Sequence, residues 1–190
     1  TRICLATGLL LSGPAAAYTL DDTSIRHSAG AYTVAFDMRL DADAAKVRAL
    51  MTDYDRLERL SDIVINSRVL EVMPDGSKRM QLDVRACVWA FCRRVHRVQD
   101  VTTLENGDLS TRVLPQRSDF SHAVERWRIE ATPGGTRIRY NAQLAPSFFV
   151  PPLLGPYLMK QAIRREVMSA AQHLEALAPV GGRIANRHGR

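Results

Sequence analysis

A run of strand-like segments followed by one long amphipathic segment restricts the fold of this chain more than any other feature. Six segments are rich in β-forming residues, and turn sequences such as Pro133-Gly134-Gly135 separate them. They lie near 64–73, 78–87, 92–103, 109–115, 122–131 and 136–145. Residues 153–177 then carry apolar side chains at helical spacing, namely Met159, Ile163, Val167, Ala170, Leu174 and Leu177. A sheet wrapped around one long helix would bury both apolar surfaces.

A strand and two short helices precede these segments. Residues 31–40 alternate strictly between apolar and polar side chains, which predicts a half-buried strand. Asp43 is placed to cap a helix that runs to Tyr54, and residues 55–60 predict a second short helix. The sequence therefore predicts one α+β domain with seven antiparallel strands. Two of them, 64–73 and 92–103, alternate too poorly to define their register.

Two local sequences resemble a known superfamily. MTDYDRLERL at 51–60, followed by NSRVLEV at 66–72, resembles the first helix and the next strand of START-like (SRPBCC) domains, and 146–177 resembles their C-terminal helix. The resemblance covers about 31–177 and implies the helix-grip fold of START domains and the birch pollen allergen, in which a seven-stranded curved antiparallel sheet surrounds a long C-terminal helix. The superfamily includes polyketide cyclase/dehydrases, coenzyme-Q-binding proteins and lipid-transfer domains. Many relatives carry proline near the position of Ser61 and are cytoplasmic.

The N-terminal segment predicts export. Residues 3–11 are apolar but too short to span a bilayer, Arg2 precedes them, and Ala15-Ala16-Ala17 offers a cleavage site. We expect cleavage after Ala17 and a periplasmic or secreted protein, and the alternative is a buried N-terminal helix or strand. The predicted divisions are a signal peptide at 1–17, a lead-in at 18–30, a ligand-binding domain at 31–177 and a disordered basic tail at 178–190.

Export would remove Cys4 and leave Cys87 and Cys92 as a pair in an oxidising compartment. If the strands on either side are adjacent and antiparallel, the two cysteines face each other across a four-residue hairpin loop, which predicts a disulfide. The alternatives are two free core thiols or a redox pair, although the spacing differs from that of a CxxC motif. A zinc site with His96 is disfavoured, because on a strand Cys92 and His96 would lie roughly 13 Å apart.

Charge and motifs argue against several functions. The net charge is +6 and the pI is about 9.6, but the arginines alternate with apolar residues, as in 136–140, which is typical of the solvated face of a sheet. We expect no nucleic-acid partner and a transient contact with a membrane surface. The sequence contains no motif of a phosphate-binding loop, a serine hydrolase or a metalloprotease, so it predicts no catalytic residue, no cofactor and no metal.

Inward strand positions and the lead-in to the long helix predict a ligand-binding site. The predicted lining residues are Phe36, Met80, Leu82, Trp127, Ile138, Tyr140, Phe148, Phe149, Leu154, Tyr157, Met159, Ile163 and Glu125. Glu125 shares a strand face with Trp127, so it either points into the cavity or, in a different register, pairs with a surface arginine. The apolar stretch 147–159 either forms a portal to the cavity or packs in the core.

These features predict an exported binding protein or carrier for an apolar ligand, such as a lipid or a quinone, held between the sheet and the C-terminal helix. The alternative is an enzyme similar to polyketide cyclases and aromatases that uses the same cavity. A third hypothesis is an interaction module whose cavity is filled by side chains. A cluster of buried polar residues at inward positions would favour the enzyme, whereas the predicted inward positions are mostly apolar and favour binding.

Overall fold

The computed structural model describes residues 18–88, 91–150 and 155–181. The strands are β1 (Thr19–Ser28), β2 (Ala31–Leu40), β3 (Val64–Val72), β4 (Lys78–Val88), β5 (Phe91–Thr103), β6 (Leu109–Val113), β7 (Phe120–Thr132) and β8 (Gly135–Pro146). The α-helices are α1 (Ala44–Met51) and α2 (Gly155–Leu177), and short 3₁₀ helices occupy Leu57–Leu60 and Pro115–Arg117. The predicted signal peptide at 1–17 and the predicted lining residue Leu154 lie outside the described residues.

The strands form one antiparallel sheet in the order β1-β2-β8-β7-β6-β5-β4-β3. The described residues contain eight strands, so the prediction of seven was wrong: the expected lead-in forms the edge strand β1. Polar residues and a register shift between Leu20 and Asp22 interrupt the alternation of β1, which hides this strand in the sequence. An isolated bridge between Ala42 and Pro179 adds one β-type pairing outside the eight strands.

Segments with clear sequence patterns form the predicted elements. Along β2, every second residue from Tyr32 to Leu40 is buried, as the alternation predicts. Asp43 caps α1, because its Oδ1 accepts a hydrogen bond from the backbone N–H of Lys46 at 2.9 Å. The second predicted short helix takes the 3₁₀ form at Leu57–Leu60.

The helix α2 packs one apolar face on the sheet. Val167, Ala171 and Leu174 are buried in the same cluster as residues of β2 and β8. The predicted stripe was wrong at Ala170 and Leu177, because the buried row runs through Ala171 and leaves Leu177 46% exposed. The buried row Val167, Ala171 and Leu174 is spaced by four and three residues, and a helix of about 3.6 residues per turn allows either order of these spacings. Spacing alone therefore did not distinguish Ala170 from Ala171.

The first residue after α2 is still part of the fold. Ala178 is fully buried, and its carbonyl oxygen accepts the backbone N–H of Asp43 at 2.8 Å. The predicted tail therefore starts too early at 178, and its remaining part at 182–190 lies outside the described residues. None of the helices in the described part of the chain is long and apolar enough to cross a membrane.

Candidate functional site

Four neighbouring strands place polar side chains on the face of the sheet that α2 covers, which we call the inner face. The residues are Arg97 and Gln99 of β5, Thr111 of β6, Glu125 of β7 and Tyr140 of β8, and we refer to them together as the polar patch. The register brings Thr111 directly opposite Glu125, and Tyr140 lies diagonally next to Glu125. Gln99, Thr111 and Glu125 are at most 6% exposed, which is unusual for polar residues and requires an explanation.

An ion pair lies at the centre of the polar patch. Arg97 Nη2 donates to Glu125 Oε1 at 2.5 Å, and the two side chains are only 13% and 7% exposed. Burial, together with the negative charge of Glu125, raises the pKa of Tyr140 well above its usual value. Tyr140 is therefore a neutral hydrogen-bond donor at physiological pH.

Several atoms of the polar patch have unmet hydrogen-bonding capacity. Within the part of the chain that the structure describes, Arg97 Nε, Gln99 Oε1 and Thr111 Oγ1 are buried without a hydrogen-bond partner. The Nε2 of Gln99 donates to the sulfur of Met80 at 3.6 Å. An unpaired buried polar group costs about 1–3 kcal/mol. Several such atoms therefore lie on one stretch of the inner face, at a cost in stability.

The polar patch lies among three apolar clusters of the core. The largest cluster packs α2 on β2 and β8, and three of its aromatic side chains, Phe36, Trp127 and Tyr140, have ring centroids 4.2–5.8 Å apart. Along β5, Arg97 and Gln99 stand between Val95 of the second cluster and Val101 of the third. The inner face is thus apolar around a small polar centre.

The predicted lining residues occupy different parts of this arrangement. The largest cluster contains Phe36, Trp127, Ile138, Tyr140, Met159 and Ile163, the second contains Phe148, and the third contains Met80 and Leu82. Phe149 and Tyr157 are instead 83% and 63% exposed. The structure therefore brings most of the predicted residues into the core and leaves these two in contact with solvent.

Glu125 points inward, as one of the two predicted alternatives required. Its arginine partner is the buried Arg97, so the alternative of a pair at the surface was wrong. The sequence analysis missed Arg97, Gln99 and Thr111. Arg97 and Gln99 lie in the segment whose alternation left the register open, and this irregularity was itself the available signal, because polar side chains at inward positions cancel the apolar alternation.

A half-open cleft lies at the end of the sheet where β8 ends. It has a volume of about 220 Å³ and is lined by His27, Gly30, Tyr32, Pro146, Phe148, Phe149 and Val150. Phe148 makes an edge-to-face contact with Phe120, with centroids 6.1 Å apart, and the guanidinium carbon of Arg93 lies 4.7 Å from the Phe148 ring centroid. In the apolar stretch before α2, Phe148 therefore packs inward and Phe149 faces solvent, and residues 151–154 lie outside the described residues.

Comparison with known proteins identifies the family of the chain. The polyketide cyclase / dehydrase and lipid transport family matches residues 32–179. The chain belongs to this family. It is similar in structure to a START superfamily protein from Mycobacterium smegmatis, with a TM-score of 0.61 and 16% identity over 78% of this chain and 99% of that one. A STAR-related lipid transfer protein from Xanthomonas axonopodis gives 0.57 and 16% identity over 82% and 99% of the two chains.

An enzyme shares the same architecture. The Zhui aromatase/cyclase from Streptomyces has a TM-score of 0.55 and 14% identity, over 80% of this chain and 93% of that one. No curated protein matches the chain. At such identities the structural likenesses show the fold alone. They confirm the predicted START-like helix-grip architecture, a curved antiparallel sheet with a C-terminal helix.

Ser61 connects the first 3₁₀ helix to α2. Its hydroxyl donates to Glu166 Oε1, and burial raises the pKa of Glu166. On the next residue of the chain, Asp62 Oδ2 accepts a hydrogen bond from Ser169 of α2 at 3.1 Å. A proline at position 61 would have no hydroxyl to donate, so the hydrogen bond to Glu166 of α2 depends on the serine.

Cys87 and Cys92 lie directly opposite each other in the register of β4 and β5. Their Cα atoms are 4.0 Å apart and their Sγ atoms 2.06 Å apart, which is bonding distance. The predicted register of this hairpin is therefore correct. The two residues at its tip, 89 and 90, lie outside the described residues.

On the outer face of the sheet, arginine side chains form ion pairs with a buried aspartate. Asp108 is 4% exposed and accepts hydrogen bonds from Arg126 and Arg128. The hydrogen bond from Arg128, which outweighs burial, lowers the pKa of Asp108 to about 2. These residues, with Arg139 and Asn141, line an open cleft of about 250 Å³. No group of three or more His, Cys, Asp or Glu side chains is arranged to hold a metal ion within the described ranges.

Proposed function

We propose that this protein binds an apolar ligand with one polar group between the inner face of the sheet and α2, and carries it without chemical change. The polar patch is the observation that carries the proposal. Arg97, Gln99 and Thr111 hold buried hydrogen-bonding atoms that no described residue satisfies, within an otherwise apolar surface. The description of the family includes lipid transport, and a lipid transfer protein shares the fold.

The apolar part of the ligand would supply most of the binding free energy. Each buried CH₂ group contributes about 0.8 kcal/mol, so ten of them offer roughly 8 kcal/mol before the entropic costs of association. The polar patch would set the orientation of the ligand. A polar group placed elsewhere on the inner face would be buried without hydrogen bonds, which costs free energy.

An enzyme of the cyclase or aromatase type is the second candidate. The polar patch supports this candidate, because an enzyme needs buried polar residues at inward positions and the sequence had predicted mostly apolar ones. An aromatase/cyclase also shares the fold. Two features favour binding without chemistry. Glu125 already accepts a hydrogen bond from Arg97, so a substrate proton would compete with this ion pair. Tyr140 has a raised pKa and releases its proton less readily than an ordinary tyrosine.

Mass spectrometry of an organic extract tests this proposal. We expect an apolar compound to co-purify with the native protein and to be depleted in the double variant Phe148→Ser/Phe149→Ser. Val72→Ser is the matched control, because it removes an apolar side chain that is 64% exposed on the edge strand β3. An empty extract, combined with turnover of a polyketide substrate that is lost in Glu125→Gln, would replace the carrier with the enzyme.

We also propose that the protein is exported, begins at Tyr18 after cleavage, and carries a disulfide between Cys87 and Cys92. The apolar leader and the alanine run support cleavage after Ala17. The opposed positions of the cysteines support the bond. Intact mass of the periplasmic protein, before and after reduction, is the measurement. Alkylation of both thiols without reduction would exclude the bond, and a full-length cytoplasmic product would exclude export.

Transient contact with a membrane is the last part of the proposal. Phe149 is 83% exposed between β8 and α2, and Tyr157 is 63% exposed in the first turn of α2, with Lys160 one turn later. Apolar rings beside a cation suit the surface of an anionic bilayer. Flotation with vesicles that contain phosphatidylglycerol should recover less Phe149→Ser than native protein, with Val72→Ser again as the control. If Phe149→Ser is recovered with the vesicles as well as Val72→Ser is, Phe149 does not contact the membrane.

A further inference from the structure

The polar patch is electrically balanced. Arg97 and Glu125 carry one positive and one negative charge in direct contact, while Gln99, Thr111 and Tyr140 are neutral. All five are largely withdrawn from water, with Arg97 the most exposed at 13% of its side chain. A charged ligand group placed beside this pair would have no compensating charge in a poorly solvated site, and such burial is strongly unfavourable.

The unmet hydrogen-bonding atoms require a group that both donates and accepts. Arg97 Nε can only donate, Gln99 Oε1 can only accept, and Thr111 Oγ1 can do either. A carboxylate cannot satisfy Gln99 Oε1, and an ammonium cannot satisfy Arg97 Nε. A hydroxyl group can accept a hydrogen bond from Arg97 Nε and donate one to Gln99 Oε1.

We infer that the polar group of the ligand is uncharged and hydroxyl-like, so that the protein selects apolar alcohols over fatty acids and amines of the same size. This inference rests on the proposed function and assigns Arg97, Gln99 and Thr111 as the residues that determine specificity. The residues act by matching hydrogen bonds and by excluding net charge.

Displacement of the fluorescent probe N-phenyl-1-naphthylamine by a matched ligand series tests the inference. Oleyl alcohol, oleate, oleylamine and methyl oleate share one chain length and differ in charge and in the capacity to donate. At pH 8 and below the aggregation concentration of each ligand, oleyl alcohol should displace the probe at concentrations about tenfold lower than oleate or oleylamine do. Methyl oleate, which accepts but cannot donate, should lie between them.

Two variants make the test specific to the polar patch. Glu125→Gln removes the negative charge and leaves Arg97 uncompensated, so oleate should now bind more tightly than oleyl alcohol. Thr111→Val removes one unmet hydroxyl at nearly constant shape and should reduce the advantage of the alcohol over methyl oleate several-fold. Thr33→Val on the outer side of β2 is the matched control and should leave all ratios unchanged. A variant that binds methyl oleate with unaltered affinity has an intact site. If Glu125→Gln does not fold, Thr111→Val alone tests the inference.

The outcomes separate the inference from the proposed function. If oleate or oleylamine binds as tightly as oleyl alcohol, the inference is wrong and the carrier function stands. If the alcohol preference survives Glu125→Gln and Thr111→Val undiminished, the polar patch does not set it and the inference fails as well. If the probe binds but no member of the series displaces it, or if the probe does not bind, the proposed site between sheet and helix is wrong.

Discussion

Replacing Asp83 by asparagine should destabilise the protein at neutral pH and reduce its sensitivity to acid. The Asp83 side chain is only 3% exposed on the outer face of β4, where its oxygens lie 2.6 Å from His96 Nδ1 and 3.3 Å from Arg94 Nη2. Gln81 Nε2 donates to it at 2.9 Å. Burial alone would raise the pKa of Asp83, but the hydrogen bonds from His96, Gln81, Asn66 and Arg94 lower it from 3.8 to about 2.

The magnitude follows from this change in pKa. Each pKa unit corresponds to about 1.4 kcal/mol, so the ionised form of Asp83 stabilises the folded state by about 2 kcal/mol. Because the folded-state pKa lies below the unfolded-state value, this contribution is fully present above about pH 4. It is lost as the pH falls from there through about 2, where the carboxyl becomes protonated in both states.

Urea unfolding at a series of pH values between 7 and 2 measures the effect. The Asp83→Asn variant should be less stable than the native protein by about 2 kcal/mol at pH 7, and the difference should shrink below pH 4. Glu105→Gln, a charge removal in an exposed turn, is the control and should leave the native curve nearly unchanged. Equal stability at pH 7 would refute the reasoning. A difference that stays constant down to pH 2 would show that the substitution disturbs packing rather than charge.

Three further substitutions test the fold. Val167→Asp places an unpaired charge between α2 and the sheet and should lower the free energy of unfolding by more than about 3 kcal/mol in urea titrations; an unchanged midpoint would refute the buried face of α2. Gly135→Ala should shift the thermal midpoint down by several degrees, because a Cβ there would lie 2.2 Å from the carbonyl oxygen of Leu40 at a φ of 137°. Asp43→Ala removes the acceptor for the Lys46 N–H and should cost about 1 kcal/mol, whereas Asp43→Asn should retain most of that stability; equal losses would argue against capping.

Local patterning predicted most of the elements, because strand alternation and helical spacing depend on neighbours in the chain. Residues 31–40 and 136–145 bury the faces that their alternation indicates, and Asp43 caps α1 at the predicted position. β1 was missed because its own residues show no clear alternation. It forms a strand because it pairs with β2 along 19–28, and the sequence pattern does not show this pairing. The order of the strands in the sheet could not be predicted from local patterns either. β2 pairs with β8, which lies about 100 residues later in the chain.

The tertiary structure alone determines that the residues of the polar patch lie together. Arg97 and Glu125 are 28 residues apart, and only the combined registers of β5, β6 and β7 bring their side chains into contact. Arginine and glutamate usually face solvent, because a buried charge is tolerated only when a partner is supplied, and a sequence pattern does not show the partner. The sequence therefore determined that a sheet would close over one long helix, whereas the pairing of distant strands determined that a charged pair and unmet hydrogen-bonding atoms would lie between them.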